Sequence, residues 1–445
     1  MIKKNNLKYV INTLIKNNNF NEAVNVLNAF EKIAQDTDDF EILGECASIA
    51  NHLELFLQCA KYVYVNSKTS EQLFSSRVNL YNAYLRLNYP NEALFYININ
   101  LMIKPTDEES LLSKSGAISL TGDYKSADNL LSSMHISDEK LNKSKNNFLF
   151  RKLLCNGKTS EGILNFINID KQKNKLFENI LNLKFWNGVS KPGSTIVINM
   201  EGGIGDEFIN IRFIDRLKKL GMNVIIYTDP SRKFGTLEVF KRHGFNIVDN
   251  HLFFKKEYLW TNLLSLPAYL GVNESNLWTK PYITPLRQEK NKLHDTNFKI
   301  GIKCDGNPYF HQEIYRKIPI DEMLEALPKG ASIYYFDKDK THPDTISLAD
   351  KLETWEDTLD YIDQMDIIVS SCTSLVHAAG AMGKRTIVIV PIAKYYLWYS
   401  TRTDDSSPWY GDNFTVITQS KPRSWKEPLE KVKLLLNDYY TNFDK

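Results

Sequence analysis

One stretch, residues 365–384, constrains the fold of this chain more than any other. It reads MDIIVSSCTSLVHAAGAMGK: a short β-branched apolar run, then small hydroxyl residues, then an apolar, small-faced helix that ends at Gly383. A second apolar run begins at Thr386, so the pattern predicts a β-α-β unit of a parallel sheet. Hydroxyls and free N–H groups at the start of such a helix suit a phosphate. An ordinary capped helix explains the same residues, and this stretch alone does not decide between the two.

Length and composition narrow the class of protein. The chain has 445 residues, which predicts two or three units, and a net charge of +2, which gives no general attraction to nucleic acid or membranes. The five cysteines are scattered without a Cys-x-x-Cys pair, so reduced thiols are predicted and no zinc site. We find no apolar run of membrane-spanning length and no signal peptide. These features predict a soluble, cytoplasmic protein.

The first part of the chain, residues 1–186, is predicted to be a helical repeat domain. Apolar residues recur at three- and four-residue spacing, and an aromatic residue is repeatedly followed by a small one. Ala23, Ala93 and Ala127 occupy the small position, and if Ala60 and Gly162 occupy it too, the steps are 37, 33, 34 and 35 residues. A step near 34 residues is the period of tetratricopeptide repeats, whose paired helices cross closely at a small residue. Such a domain either presents a concave docking surface or braces the remainder of the chain.

Residues 193–290 are predicted to form a first Rossmann-like half. Thr195–Met200 is a predicted strand, and Glu201–Glu207 is the turn from it into a helix. The turn lacks the dinucleotide fingerprint, because Asp206-Glu207 follows Gly203-Ile204-Gly205 and no glycine closes the motif. An acid here would repel a pyrophosphate and suits a base that faces an acceptor. Alternatively, Asp206 only caps its helix.

Residues 297–425 are predicted to form a second Rossmann-like half, and residues 426–445 a C-terminal helix. The second half begins with the predicted strand Lys299–Lys303 and contains the stretch 365–384. The predicted fold class is therefore α + α/β, with helical repeats followed by two Rossmann-like halves.

Four motifs in one order give the chain a specific resemblance. They are Glu201–Glu207, Gly306-Asn307-Pro308 with Arg316, Thr373-Ser374 with His377–Gly383, and Ser407–Tyr410. This set resembles the bacterial tetratricopeptide-repeat glycosyltransferases with a GT-B body, which are related to the ADP-heptose:lipopolysaccharide heptosyltransferases. The resemblance covers roughly residues 193–420 together with the helical repeats. It implies an inverting transfer from a nucleotide-sugar donor to a protein or glycan acceptor, without a cofactor or metal.

The resemblance also implies residue roles. Asp206 would be the general base or would orient the acceptor, and His377 would face the same site. The donor and its phosphates would be bound by Lys303, Asn307, Arg316, Cys372, Thr373 and Ser374. The glycine loop would be formed by Gly202, Gly203 and Gly205. Cys372 departs from the family, in which many members have an aspartate there, so heptose specificity and turnover are in question.

Several interpretations stay open at the level of sequence. His377 is also compatible with a buried core histidine, Arg316 with a surface charge and Lys303 with an ordinary strand end. The aromatic run Tyr395–Tyr399 suits either stacking on a ligand or packing between domains. A binding or scaffold protein without turnover is the main functional alternative. A glycosyltransferase acting on modified nucleic acid is a further one, which the near-neutral charge does not support.

Overall fold

A computed structural model describes residues 6–167, 177–178, 181–230, 235–277, 280–308, 310 and 312–443. The chain divides into two compact units. The first contains residues 1–145, 307–315 and 420–424, and the second contains residues 146–306, 316–419 and 425–445. The boundary between residues 145 and 146 falls within the helix Glu139–Cys155. It therefore does not test the predicted domain boundaries, which stay predictions.

Ten helices in the described residues form five consecutive pairs. They are α1 (Leu7–Lys16), α2 (Phe20–Glu31), α3 (Thr37–Ile49), α4 (Leu53–Asn66), α5 (Ser70–Arg86), α6 (Pro90–Ile103), α7 (Glu108–Leu120), α8 (Tyr124–Ser133), α9 (Glu139–Cys155) and α10 (Thr159–Ile167). In the first unit, two outlying segments pack against the repeats. The Tyr315 hydroxyl donates to the Leu85 carbonyl at 2.8 Å, and the Arg423 guanidinium lies 3.9 Å from the centre of the Tyr89 ring.

The turn between the helices of each pair fixes the register of the repeats. A residue with positive φ lies in each turn, namely Asn18, Asn51, Asn88, Gly122 and Gly157. Asparagine and glycine are the residues that adopt this left-handed conformation most readily. In four pairs the small residue follows five positions after the residue with positive φ. In the second pair that position is Phe56, so Ala60 does not occupy the equivalent position. The second pair crosses closely at Gly44 instead, where a Cβ atom would lie 3.0 Å from that of Cys59.

The first sheet has five described strands, all parallel. They are β1 (Lys184–Phe185), β2 (Thr195–Asn199), β3 (Asn223–Tyr227), β4 (Ile247–Val248) and β5 (Leu259–Asn262), in the order β1-β5-β2-β3-β4. The associated helices are α11 (Ile204–Asn210), α12 (Ile214–Lys219), α13 (Thr236–Arg242) and α14 (Leu266–Tyr269), with 3-10 turns at Ile211–Phe213 and Leu263–Ser265. The strands β3 and β5 lie on opposite sides of β2, so the direction of winding reverses at β2. In sheets of this type, ligands bind outside the carboxyl ends of the strands at the point of reversal.

The second sheet has seven described strands. They are β6 (Lys299–Lys303), β7 (Ser332–Tyr335), β8 (Ile346–Ser347), β9 (Ile367–Ser371), β10 (Thr386–Val390), β11 (Ser406–Ser407) and β12 (Gly411–Thr418), in the order β11-β12-β10-β9-β6-β7-β8. Its helices are α15 (Glu313–Arg316), α16 (Ile320–Glu325), α17 (Trp355–Gln364), α18 (Ser374–Ala381) and α19 (Lys426–Thr441), with 3-10 turns at Glu289–Asn291, Ala349–Lys351 and Tyr396–Trp398. All described pairings are parallel except that of β11 with β12. The winding reverses between β6 and β9, directly before α18.

The predicted fold class is confirmed: helical repeats are followed by two separate, mainly parallel sheets with Rossmann-like winding. The core of the second sheet explains the C-terminal helix. Leu429, Val432 and Leu436 of α19 are buried in one cluster with the β6 residues Ile300 and Ile302.

Among the described helices, none has both the length and the apolar character needed to cross a bilayer.

Candidate functional site

The N-terminus of α18 follows the central strand β9 at the point where the second sheet reverses. Thr373 is the N-cap residue, but its side chain makes no capping hydrogen bond to the helix. Its own N–H group donates to the Ser371 carbonyl at 2.7 Å, and its hydroxyl lies 3.4 Å from that of Ser370. The first-turn N–H groups of α18 are therefore not satisfied by a side-chain cap, and an anion is the partner that such a helix end favours.

A cation lies beside this helix end. Arg316, the last residue of α15, donates from Nη1 to the Cys372 carbonyl at 2.6 Å. The Cys372 side chain is buried, and Ser374 is half-buried at the first helical position. The structure thus brings together Arg316, Cys372, Thr373 and Ser374, which the resemblance assigned to the donor phosphates.

Two other predicted phosphate ligands are placed differently. The Lys303 ammonium group is 2.9 Å from an Asp337 carboxylate oxygen and donates to the Phe336 carbonyl at 3.0 Å, so its charge is already paired. Asn307 belongs to the first compact unit. The phosphate roles of both residues remain predictions.

The glycine turn after β2 is folded around the Asp206 carboxylate. Gly202 has a φ of +84°, and the Gly203 N–H group donates to Asp206 Oδ2 at 2.8 Å. A Cβ atom on Gly202 would lie 2.7 Å from the same oxygen, so the turn requires glycine there on both counts. The N-cap residue of α11 is Gly203, and Asp206 is the third residue of the helix, so Asp206 is not the N-cap that the alternative predicts, although its Oδ2 atom accepts the N-cap N–H group. The Asp206 side chain is half-buried.

The other acid of the turn has a different environment. The Glu207 side chain is fully buried and accepts a hydrogen bond of 2.5 Å from the Thr236 hydroxyl on α13. Burial makes Glu207 part of the interior of the first Rossmann-like half. Asp206 is therefore the acid of this pair that a substrate can reach.

The third glycine of the turn lets two helices meet. A Cβ atom on Gly205 would lie 2.6 Å from Cδ2 of His377, so α11 approaches α18 at this glycine. Gly205 precedes Asp206, and His377 lies one turn into α18 after Thr373. The contact therefore brings the acidic turn of the first half close to the phosphate-type helix end of the second.

His377 is held inside this contact. Its Nδ1 atom is 2.8 Å from the Tyr410 hydroxyl, and its ring stacks on Trp398 with centroids 5.5 Å apart. Burial, and then the charges of Arg316 and Arg212, lower the pKa of His377 from 6.5 to about 3, so the imidazole is neutral at physiological pH. These contacts fit the alternative of a core histidine, and the catalytic role of His377 remains a prediction.

The sequence did not predict one hydrogen bond of the candidate site. The Tyr395 hydroxyl donates to Asp206 Oδ1 at 3.1 Å, across 189 residues of sequence. The run Tyr395–Tyr399 is aromatic, but nothing in its spacing indicates a partner in the glycine turn. The rings of Tyr395 and Tyr396 pack on Phe166 of α10, with centroids 5.2 Å and 4.7 Å from it, which fits the packing alternative.

The candidate site combines a group that can bind an anion with a group that can accept a proton. An uncapped helix end with a guanidinium can hold an anion, and a half-buried carboxylate on the neighbouring turn can accept a proton. Within the described residues, no group of three or more His, Cys, Asp or Glu side chains is placed to hold a metal ion.

Comparisons with known proteins give only distant similarities. No protein-family model matches the chain, and the search of curated proteins gives no match. Among solved structures, similarity is found to a glycosyl transferase family 9 protein of Veillonella parvula DSM 2008 (9% identity, 53% of this chain and 88% of that chain, TM-score 0.35). It is also found to a mutant of Thermobaculum terrenum O-GlcNAc transferase (12% identity, 98% and 90%, TM-score 0.38) and to full-length LpoA from Haemophilus influenzae (10% identity, 98% and 86%, TM-score 0.21). All three TM-scores lie below 0.5, so these similarities assign neither activity nor substrate to this chain.

Proposed function

We propose that this protein is a glycosyltransferase that moves a sugar from a nucleotide-sugar donor to a protein or glycan acceptor. The observation that carries the proposal is the uncapped N-terminus of α18, with the Arg316 guanidinium beside it and Asp206 on the turn that packs against the same helix. A diphosphate and a proton-accepting carboxylate are the two groups that a glycosyl transfer needs on opposite sides of the sugar.

In the proposed reaction, the N–H groups of α18 and the hydroxyls of Thr373 and Ser374 hold the donor diphosphate. An acceptor hydroxyl attacks the anomeric carbon and gives its proton to Asp206. The bond between the anomeric carbon and the phosphate oxygen breaks, and its electron pair leaves with the nucleoside diphosphate, so the configuration inverts. The helix end and Arg316 stabilise the charge that develops on the leaving group, and no metal is required in this scheme.

A second candidate, a nucleotide-binding protein without turnover, is favoured by one observation. Both Asp206 oxygens already accept hydrogen bonds, from the Gly203 N–H group and from the Tyr395 hydroxyl. An acceptor must therefore share an oxygen that is already engaged. Catalysis with a hydrogen-bonded carboxylate remains feasible, because a carboxylate has about four lone-pair sites.

Nucleotide binding tests the first half of the proposal. We expect ADP, GDP or UDP to bind without added metal, and Thr373→Ala with Ser374→Ala to weaken binding at least ten-fold. Each hydroxyl contributes a hydrogen bond to a charged group, worth about 1.5–3 kcal/mol. Titration calorimetry in EDTA measures both effects.

A matched control removes two hydroxyls elsewhere. Ser132→Ala with Ser133→Ala affects hydroxyls that donate to carbonyls of their own helix α8, and it should leave nucleotide affinity unchanged. Unchanged affinity in the Thr373 and Ser374 variant would refute the phosphate assignment. An absolute need for magnesium or manganese would refute metal independence.

Turnover tests the second half and separates the two candidates. Asparagine keeps one oxygen that can accept the Gly203 N–H group but loses the acceptor for the Tyr395 hydroxyl, so the melting temperature of Asp206→Asn is measured beside its turnover to separate a loss of stability from a loss of catalysis. Loss of a general base should lower the release of nucleoside diphosphate from ADP-, GDP- or UDP-glucose by roughly 10²–10⁴. Near-normal turnover in the variant would leave Asp206 with a structural role only. Tight nucleotide binding by the unaltered protein without turnover on a broad donor panel would favour the second candidate.

A further inference from the structure

We infer that Tyr395 is a positioning residue for Asp206, and that the last helical pair holds Tyr395 in place. The inference rests on the proposed function for its chemical meaning, but its geometry stands independently. It concerns a hydrogen bond between the second Rossmann-like half, which carries Tyr395, and the turn of the first half.

The Asp206 carboxylate is held at both ends. Oδ2 accepts the Gly203 N–H group at 2.8 Å, and Oδ1 accepts the Tyr395 hydroxyl at 3.1 Å. Two donors on different elements prevent the carboxylate from rotating, which one donor from its own turn cannot do. A base must be held in this way to meet an acceptor proton, because a misplacement of about 1 Å can cost about a hundred-fold in rate.

The Tyr395 ring is anchored by other aromatic side chains. It meets the Phe166 ring edge to face, with centroids 5.2 Å apart and an interplanar angle of 88°, and the Tyr396 ring at 4.9 Å. Phe166 in turn contacts Phe150 of α9 at 5.3 Å. All four residues lie in the second compact unit. The position of the Tyr395 hydroxyl is thus set by the α9–α10 pair.

The electrostatic surroundings keep Tyr395 a donor. Burial, and then the charge of Asp206, raise the pKa of Tyr395 well above its usual 10, so the hydroxyl stays protonated. Glu201 and Tyr396 also act on Tyr395, and Tyr410 lies within electrostatic range of Asp206. The charge of Arg212 acts on the neighbouring Tyr396 and Tyr410. His377 lies against the neighbouring Gly205 and is neutral. The hydroxyl therefore stabilises the ionised form of the carboxylate, which is the form that accepts a proton.

The test compares two single hydroxyl deletions in one aromatic cluster. Tyr395→Phe removes the hydroxyl bonded to Asp206, whereas Tyr396→Phe removes a buried hydroxyl that makes no such bond to this acid within the described residues. Amide hydrogen exchange by mass spectrometry reports on the turn Glu201–Glu207 without any substrate. We expect at least ten-fold faster exchange of this turn in Tyr395→Phe, with exchange in the β6 and β9 peptides unchanged, and no change at the turn in Tyr396→Phe.

Kinetics supply the chemical readout. With whichever of ADP-, GDP- or UDP-glucose the unaltered protein turns over, Tyr395→Phe should lower kcat about 10- to 100-fold with little change in the donor KM. The acid limb of its pH–rate profile should move to higher pH by about one unit, because the ionised carboxylate has lost a donor.

Several outcomes would overturn the inference. Unchanged exchange of the turn in Tyr395→Phe would show that the hydroxyl does not hold Asp206. Faster turnover in this variant would show that Tyr395 occupies the place of the acceptor hydroxyl. If the unaltered protein turned over no donor, the proposed function would fail, and the exchange experiment would still decide whether Tyr395 holds the turn.

Discussion

At the scale of single residues, the burial of His377 makes the free energy of unfolding depend on pH in the acid range. The unfolded chain takes up a proton at the ordinary pKa of 6.5, whereas burial and two nearby arginines delay protonation of the folded imidazole to about pH 3. Between these values the unfolded state binds more protons, so the free energy of unfolding falls as the pH falls from 6.5 toward 3. The loss approaches about 1.4 kcal/mol per pH unit.

His377→Gln should remove this contribution. We expect the slope of unfolding free energy against pH, measured by urea unfolding between about pH 6.5 and 5, to be shallower in this variant than in the unaltered protein. The control His294→Gln makes the same change at an exposed histidine and should preserve the slope. Equal slopes in the His377 variant and the unaltered protein would mean that the folded protein takes up this proton as readily as the unfolded chain.

At the scale of elements, local patterns predicted most of what local forces determine. The β9–α18–β10 unit follows from an apolar run, small hydroxyl residues and a glycine, and Gly383 has the left-handed φ of +72° that a helix C-terminus favours. The repeat period was also correct. The register of the second pair was not, because its close crossing is made at Gly44 on the first helix of the pair.

Long-range contacts set the limits of the sequence reasoning about the site. The family resemblance assigned both Arg316 and Cys372 to the donor side, but neither the resemblance nor the spacing predicted the hydrogen bond between them. The pairing of Lys303 with Asp337 depends on how β6 and β7 lie side by side, and the bond from Tyr395 to Asp206 depends on how α11 meets α18. Such contacts join residues tens to hundreds of positions apart, which periodicity does not register.

At the scale of the whole molecule, the two Rossmann-like halves share one compact unit, and a charged pair helps to join them. Arg242 at the end of α13 donates from Nε and Nη2 to the two carboxylate oxygens of Glu356 on α17, both at 2.8 Å. The side chains are only 27% and 13% exposed. Two parallel hydrogen bonds with partial burial make such a pair stronger than an ordinary surface ion pair.

A double-mutant cycle measures this link between the halves. Arg242→Met, Glu356→Gln and the double variant should give a coupling free energy of about 1–2 kcal/mol in urea unfolding. The neighbouring pair Lys241 and Glu238 is the control, because it lies within α13 and its side chains are 49% and 75% exposed. Its cycle should give about 0.5 kcal/mol or less. Equal coupling in both cycles would mean that the pair across the halves contributes no more to stability than an ordinary surface ion pair.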